Sequence, residues 1–505
     1  MARGAYTPAS MSESPADLSP PSGARRRIGA VAAPAVFISL LLLPMPGLAP
    51  EAHRLAAVLA AVVILWVTEA LPLPVTALLG AAASVVLRVA PAKEVFAPFA
   101  DPLMFLFIGA FILARAIFLH GLDRRVAYAV LSLPWVGARP GRILVAFGAA
   151  TAFLSGWISN TATTAMMFGI GLSILAALRS PGTAVPIDPR YATGLMLMTS
   201  FAASIGGLAT PVGTPPNLIG LGFIRSQLGV EIPFFRWMLI GVPAVLLLFG
   251  FLSVYLNVVA PSGTREIAAG ADLIRRERAG LGPWTRGQRS VAIAFGVTVA
   301  LWVIPGIVAI LAGEQSSAYR ELGRSVPEGV AALLGAVLLF VLPGESGAAI
   351  TWKEAVRIDW GVVLLYGGGF ALGVLSFQTG LAEAMGRGLT GLLPIQGSLG
   401  LLVASVVIAA VLSETTSNTA SANMVVPVTI SIAHAAGLDP LEPALGATLA
   451  SSLGFMLPVS TPCNAIVYGS GYIPLGRMIR WGLMLDLVGI VVIVGVVRGL
   501  SHLVR

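Results

Sequence analysis

Two Ser-Asn-Thr triplets, Ser159-Asn160-Thr161 and Ser417-Asn418-Thr419, stand 258 residues apart, each in the middle of a long apolar run. Each is followed by a polar motif interrupted by proline. The first is Thr210-Pro211-Val212-Gly213-Thr214-Pro215-Pro216-Asn217, and the second is Pro458-Val459-Ser460-Thr461-Pro462-Cys463-Asn464. Hydroxyls and amides of this kind donate hydrogen bonds to an anion. Their oxygens, joined by carbonyls of unwound backbone, suit a hard cation such as Na+. None of the four motifs contains a basic residue, and one Arg or Lys at mid-membrane costs about 2.5–3.5 kcal/mol on insertion scales. Positive potential for an anion must therefore come from half-helix N-termini and bound cations. A lone triplet would be read as hydroxyls bonding back to the i−4 carbonyl or gluing helices together. Two triplets in duplicated context, each followed by a broken helix, point to a binding site between two halves, a transporter's signature. Glycosylation is excluded, because Ala162 and Ala420 occupy the required hydroxyl position.

The elements that position these motifs are membrane-spanning. Of 505 residues, 57% are hydrophobic and 11% charged, where soluble domains carry about 25% charged residues. Apart from Lys93 and Lys353 every basic residue is arginine, which reads as bacterial genomic bias. The arginines cluster between apolar runs, as at Arg25–Arg27, Arg124-Arg125 and Arg275-Arg276, so they set orientation and do not mark a nucleic-acid partner. One cysteine and four scattered histidines exclude an intrachain disulfide and argue against a zinc site. Residues 1–27 read as a disordered cytoplasmic tail. The run after them mimics a signal peptide, with Ala49 and Ala52 near a cleavage-like site, but is taken as an uncleaved first span.

Eleven apolar segments qualify, or nearly so, as spans. They are Ile28–Leu48, Leu55–Leu71, Val75–Val89, Leu103–Phe118, Tyr191–Phe223, Trp237–Val259, Val291–Ala312, Val330–Leu342, Val362–Leu375 extending toward Leu393, Leu441–Tyr468 and Met478–Val497. The blocks Ile143–Leu178 and Leu399–Ala436, with the triplets near their middles, read as re-entrant hairpins with tips at mid-membrane. Gly213, Pro215 and Pro216 break one span, and Pro458 and Pro462 break its twin. With the N-terminus cytoplasmic, five spans separate the hairpins, so the second enters from outside and the halves are inverted repeats. Gly109–Leu122 also aligns with Gly368–Leu381. Glu414 is expected to orient the hairpin tip, cap it or touch a cation. Glu69 and Arg115 are expected to pair structurally or lie near an interface, and Cys463 to be a small core residue.

On these residues the chain resembles the divalent anion/sodium symporters, the INDY-like transporters. The landmarks are Thr68–Leu79, both triplets, the Thr210–Asn217 motif, the Gly-rich stretch that ends in Thr379-Gly380-Leu381, and Ser460–Gly471, in family order across about residues 28–500. The resemblance implies an all-α, inverted-repeat homodimer working by an elevator motion. Its scaffold would comprise 28–135 and 290–395, its transport domain 136–260 and 396–505, with a cytoplasmic basic loop at 261–289. It implies one Na+ site at Ser155, Ser159, Asn160 and the Gly213 carbonyl. The other would use Ser413, the Thr416 carbonyl, Asn418 and the Ser460 carbonyl. Substrate carboxylates would meet Asn160 and Thr161 on one side and Ser417, Asn418, Thr419, Thr461 and Pro462 on the other, with Thr214 and Pro215 placed among them. Two departures stand out: Phe168-Gly169 where a proline is expected, and Cys463 in place of another.

The expected activity is Na+-coupled uptake of C4-dicarboxylates such as succinate, malate or fumarate, by a multi-pass protein of the bacterial inner membrane. The rival readings are a Na+-independent dicarboxylate exchanger and a Na+-coupled sulfate or tricarboxylate transporter. A channel would pass ions without saturable, substrate-dependent stoichiometry. An enzyme would need a nucleophile with a base, and neither Ser159 nor Ser417 has a His or basic partner in its motif. No organic cofactor is expected.

Overall fold

The computed structural model describes residues 23–178, 188–313, 315–390 and 397–504, and its regular structure is helical apart from one isolated bridge between Pro343 and Ala348. Of the tail read at residues 1–27, residues 1–22 lie outside the described residues, and Gly23–Arg27, read as disordered, instead form the first turns of a helix that runs on into the apolar segment. The chain opens with α1 (Gly23–Leu42), α2 (Pro50–Thr68), α3 (Leu73–Val86) and the short α4 (Ala92–Phe96). A series of seven follows: α5 (Pro102–Leu119), α6 (Leu122–Leu131), α7 (Pro140–Ser155), α8 (Asn160–Leu178), α9 (Pro189–Gly206), α10 (Pro215–Leu228) and α11 (Phe234–Val259). After α12 (Ala268–Gly280), α13 (Arg286–Ala312), α14 (Ser317–Ser325), α15 (Glu328–Val341) and α16 (Trp352–Ala355), the series recurs in the same order. It runs α17 (Trp360–Gln378), α18 (Leu381–Thr390), α19 (Gly397–Thr415), α20 (Asn418–Ala435), α21 (Leu441–Ala450), α22 (Pro462–Tyr468) and α23 (Leu475–Leu500). The match reaches capping: Asp101 accepts from the Leu103 amide to start α5, and Asp359 accepts from the Val362 amide to start α17.

Eight of the described helices are long and apolar enough to cross a membrane, nine when α14 and α15, bent by 57°, count as one. The eleven expected spans include runs that fold as shorter or divided helices. Apolar α3 and α15 have only 14 residues each. The run Tyr191–Phe223 divides into α9 and α10, and Leu441–Tyr468 into α21 and α22. The run from Val362 does not reach Leu393 as one helix. It stops at Gln378, and Gly380, at φ +76°, turns the chain into α18. Residues 261–289, read as a loop, contain α12, whose Ile274 is buried where the helix packs on α6 and α8.

The two series interlock. α10 crosses from the first series to pack on α20 and α21, and α22 crosses back onto α8 and α9. Phe201 of α9 meets Phe455 edge-on, with ring centroids 5.2 Å apart, at the centre of this exchange. Outside the core, large apolar side chains face outward, among them Leu311 at 81% exposure and Val86 at 79%, as expected of lipid-facing positions in a multi-pass membrane protein.

Candidate functional site

Each triplet lies where a helix pair turns. Ser155 ends α7, Gly156–Ser159 form the turn, and Asn160 begins α8. Ser413 lies near the end of α19, Thr416 and Ser417 form the turn, and Asn418 begins α20. Ser417 caps α20 by accepting from the Ala420 amide at 3.2 Å. The breaks after the triplets follow from proline. Thr214 (φ −147°) and Thr461 (φ −142°) are extended, and Pro215 and Pro462 then start new helices where their missing N–H is no loss. Thr461 also caps its helix through the Asn464 amide at 3.1 Å, whereas the Thr214 hydroxyl makes no such bond.

Around each Asn the polar atoms are mostly oxygens. The Ser155 hydroxyl lies 2.6 Å from the Asn160 side-chain amide, which also approaches the Ala203 and Gly213 carbonyls at 3.2 Å. Turned one way, the amide nitrogen donates to both carbonyls. Turned the other way, four oxygens converge, an arrangement that a cation in their midst stabilises. In the second series the Ser413 hydroxyl lies 2.8 Å from Asn418 Oδ1 and 2.8 Å from the Ser451 carbonyl. A hydroxyl has one proton, so it can donate to only one of these acceptors. The surplus oxygen contact again fits a cation. Groups of three or more His, Cys, Asp or Glu that could hold a metal are absent among the described residues.

The structure gives a role to two motif residues that the sequence reading left without one. Asn217 donates through Nδ2 to the carbonyls of Gly207 (2.9 Å) and Thr210 (2.8 Å). Asn464 donates to those of Gly454 (2.9 Å) and Leu457 (2.9 Å). These two amides staple the unwound segments, which have no helix of their own to satisfy them. Replacing Asn464 with alanine leaves the buried Gly454 carbonyl unpaired, at about 1–3 kcal/mol, while the Leu457 carbonyl keeps only the Ser460 amide at 3.2 Å. The expected result is a melting temperature several degrees lower in detergent, together with weaker Na+ activation of transport. Unchanged melting would show that the segment holds itself.

The exchange of helices brings the halves together at the triplets. Cys463, at the start of α22, lies within reach of Thr161 and Thr164 of α8, and Ser200 of α9 donates to Asn464 Oδ1. Thr461 and Pro462 thus begin a helix that packs beside the first triplet, while Thr214 and Pro215 begin one that packs on α20, which carries the second. Asn160, Thr161, Ser417, Asn418 and Thr419 are half-buried, Ser159 and Pro462 are exposed, and Gly213, Ser413, Thr416 and Ser460 are buried. Glu414 accepts from the Met456 amide at 2.7 Å and from the Ser460 hydroxyl, so it ties the second turn to the second break. Arg115 pairs with Glu354 at 2.7 Å, and that guanidinium holds the Glu354 carboxyl below its usual range. Glu69 ends α2 in the left-handed region at φ 50°.

Residues 25–502 match the model of a family described as the sodium:sulfate symporter transmembrane region. A protein named sodium-dependent dicarboxylate transporter SdcS, from Staphylococcus saprophyticus, is 35% identical over 481 residues, 93% of this chain and 90% of that one. The protein of the same name from Staphylococcus aureus (strain bovine RF122 / ET3-1) is 33% identical over 486 residues, 94% of this chain and 91% of that one. Among solved structures, the Alcanivorax borkumensis YdaH transporter matches with a TM-score of 0.54 and 15% identity, over 80% of this chain and 85% of that chain. At that identity the likeness concerns the fold alone.

Proposed function

The chain belongs to the sodium:sulfate symporter family, and from that premise we propose that it is a Na+-coupled importer of C4-dicarboxylates such as succinate, malate or fumarate. It is a transporter by family, not an enzyme. One observation carries the reading: two matched oxygen clusters, Ser155 with Asn160 and Ser413 with Asn418, each beside a stapled helix break. Neutral clusters of this kind bind a dianion only when cations supply the positive charge. Na+ therefore binds first, at Ser155, Ser159, Asn160 and the Gly213 carbonyl, and at Ser413, Asn418 and the carbonyls of Thr416 and Ser460. The diacid then meets Asn160 and Thr161 at one end and Ser417, Asn418 and Thr419 at the other, with Thr461, Pro462, Thr214 and Pro215 at the helix starts that close the site. The names of the SdcS relatives support both the ion and the substrate class.

In this reading the hairpins α7–α8 and α19–α20, with α9–α11 and α21–α23, move as one body past a dimeric scaffold built from the remaining spans. The N-terminus is cytoplasmic, and the halves are inverted. The Arg225–Asp101 ion pair, to which the Tyr366 hydroxyl also donates (3.3 Å), joins α10 to the start of α5 and must open during each passage.

The test is uptake of labelled succinate by the purified protein in proteoliposomes. The expected result is accumulation in empty vesicles under an inward Na+ gradient and none with K+ or choline. Uptake confined to succinate-loaded vesicles and indifferent to Na+ would make the protein an exchanger. Saturable Na+-driven uptake of sulfate or citrate in preference to succinate would overturn the substrate class.

A further inference from the structure

The last helix carries one acidic residue in its apolar run, Asp486, and it is buried at 5% exposure. Neither of its carboxylate oxygens receives a hydrogen bond from any described group. The helix lies tight against the second break. A Cβ on Gly482 would stand 2.3 Å from the Phe455 carbonyl oxygen and 2.7 Å from the Met456 Cα, and Gly489 faces Leu453. Asp486, one turn after Gly482, is thereby directed at the segment whose Met456 amide bonds to Glu414. Its carboxyl comes within hydrogen-bonding reach of the Glu414 carboxyl, while the Phe455 amide approaches without completing a bond. Glu414 is itself only 4% exposed.

Two carboxyls thus face each other in a buried place, and neither forms an ion pair with a described Arg, Lys or His. Buried carboxylates persist only with compensating charge. Glu414 has two donors of its own, Met456 N–H and Ser460 O–H, which favour its ionised form. Asp486 has none.

We propose that Glu414 and Asp486 bind a third monovalent cation, Na+, next to the second of the two cation sites described above. The proposal rests on the symport reading and deepens it. Carboxylate oxygens are the hard ligands Na+ prefers, and Ser460 links this pair to the neighbouring cluster by donating to Glu414. The third cation has a defined consequence. Two Na+ with a divalent anion move no net charge, whereas a third makes each cycle carry one positive charge inward, so a negative interior drives uptake.

The experiment measures Na+ and succinate fluxes together in proteoliposomes, with and without an imposed negative interior, for the wild type and Asp486→Asn. The wild type is expected to take up three Na+ per succinate and to speed up when the interior is negative. Asp486→Asn, which replaces one carboxylate by a neutral amide of the same shape, is expected to keep slower Na+-dependent uptake, with two Na+ per succinate and no response to voltage. An unchanged ratio in Asp486→Asn overturns the proposal. So does a wild-type ratio of two, and so does a third charge carried by H+, seen as acidification of a trapped dye at constant Na+. Should Asp486→Asn fail to fold, counting labelled Na+ bound by the wild-type protein at saturating succinate decides instead: three per protomer supports the third site and two removes it. Wild-type uptake that ignores Na+ altogether would sink the symport reading and this inference with it. A Na+-dependent wild type with a ratio of two sinks this inference alone.

Discussion

Alanine at Asn160 or at Asn418 is expected to lower Na+-driven succinate uptake at least ~100-fold while the protein still folds. Both halves of that statement come from position. Each Asn is the first residue of its helix, and the helix start is fixed by its neighbours: the Ser417 hydroxyl caps α20, and the Thr163 amide already bonds to the Ser159 carbonyl at 3.0 Å. Removing the amide therefore costs little in helix formation. Its loss from the site is severe. The Asn160 side chain is the group that reaches Ser155, Ala203 and Gly213 together, and Asn418 meets Ser413 in the same way. Contacts to charged partners are worth about 1.5–3 kcal/mol each. The loss of two exceeds two decades, at about 1.4 kcal/mol per decade. Size-exclusion profiles and melting curves like those of the wild type, with uptake lost, are the expected result. Normal uptake by both alanine variants would remove the triplets from the site.

Aspartate at position 160 separates the two roles given to that side chain. A carboxylate keeps the oxygens that face a cation but sets a negative charge beside a dianion. Na+ binding by Asn160→Asp should persist while succinate no longer increases it. If succinate still binds normally, Asn160 serves the cation alone.

The parts of this molecule legible in the sequence were those written in contrast. Ser, Asn and Thr in the middle of apolar runs marked the turns at Gly156–Ser159 and Thr416–Ser417, and the prolines at 215 and 462 marked the starts of α10 and α22. Duplication made each signal credible through its twin. Hydropathy could not show which helices pair, so the exchange of α10 and α22 between the halves was invisible, and with it the meeting of Cys463 with Thr161. Nor does residue type show direction. Asn217 and Asn464 stood in the motifs, but nothing in their identity revealed that they face backbone carbonyls rather than a ligand. Asp486 did leave a signal, a single acid in the run Met478–Val497, and an intramembrane carboxylate is a functional hypothesis by default. Helices of 14 residues and proline-divided runs each carry less apolar length than a full crossing, so the eleven apolar runs and the eight long described helices count different things.

Alanine in place of Gly213 is expected to weaken Na+ activation more than tenfold, although it adds a single methyl group and removes no polar atom. The reason is steric. A Cβ at this position would lie 2.5 Å from the Gly207 carbonyl oxygen and 3.0 Å from the Gly207 carbonyl carbon and Cα. All three are backbone atoms, so no side chain can rotate away, and the segment itself must move. That same Gly207 carbonyl is held at 2.9 Å by Asn217, and the Gly213 carbonyl is one of the oxygens that meets Asn160. A shift of a few tenths of an ångström therefore either breaks the staple or carries the Gly213 carbonyl off Asn160. The twin position is a useful contrast, because it is already Ser460, whose hydroxyl bonds to Glu414, so the second break has room for a Cβ where the first has none. Ser460→Ala should accordingly leave the course of its segment intact and lose only the tie to Glu414. Uptake measured against Na+ concentration checks the pair of variants, with melting curves run alongside. Gly213→Ala should need more than ten times the Na+ for half-maximal uptake, with a modest fall in melting temperature. A wild-type Na+ response from Gly213→Ala, at wild-type stability, would mean that the first break gives way without cost and that its carbonyl is no cation ligand.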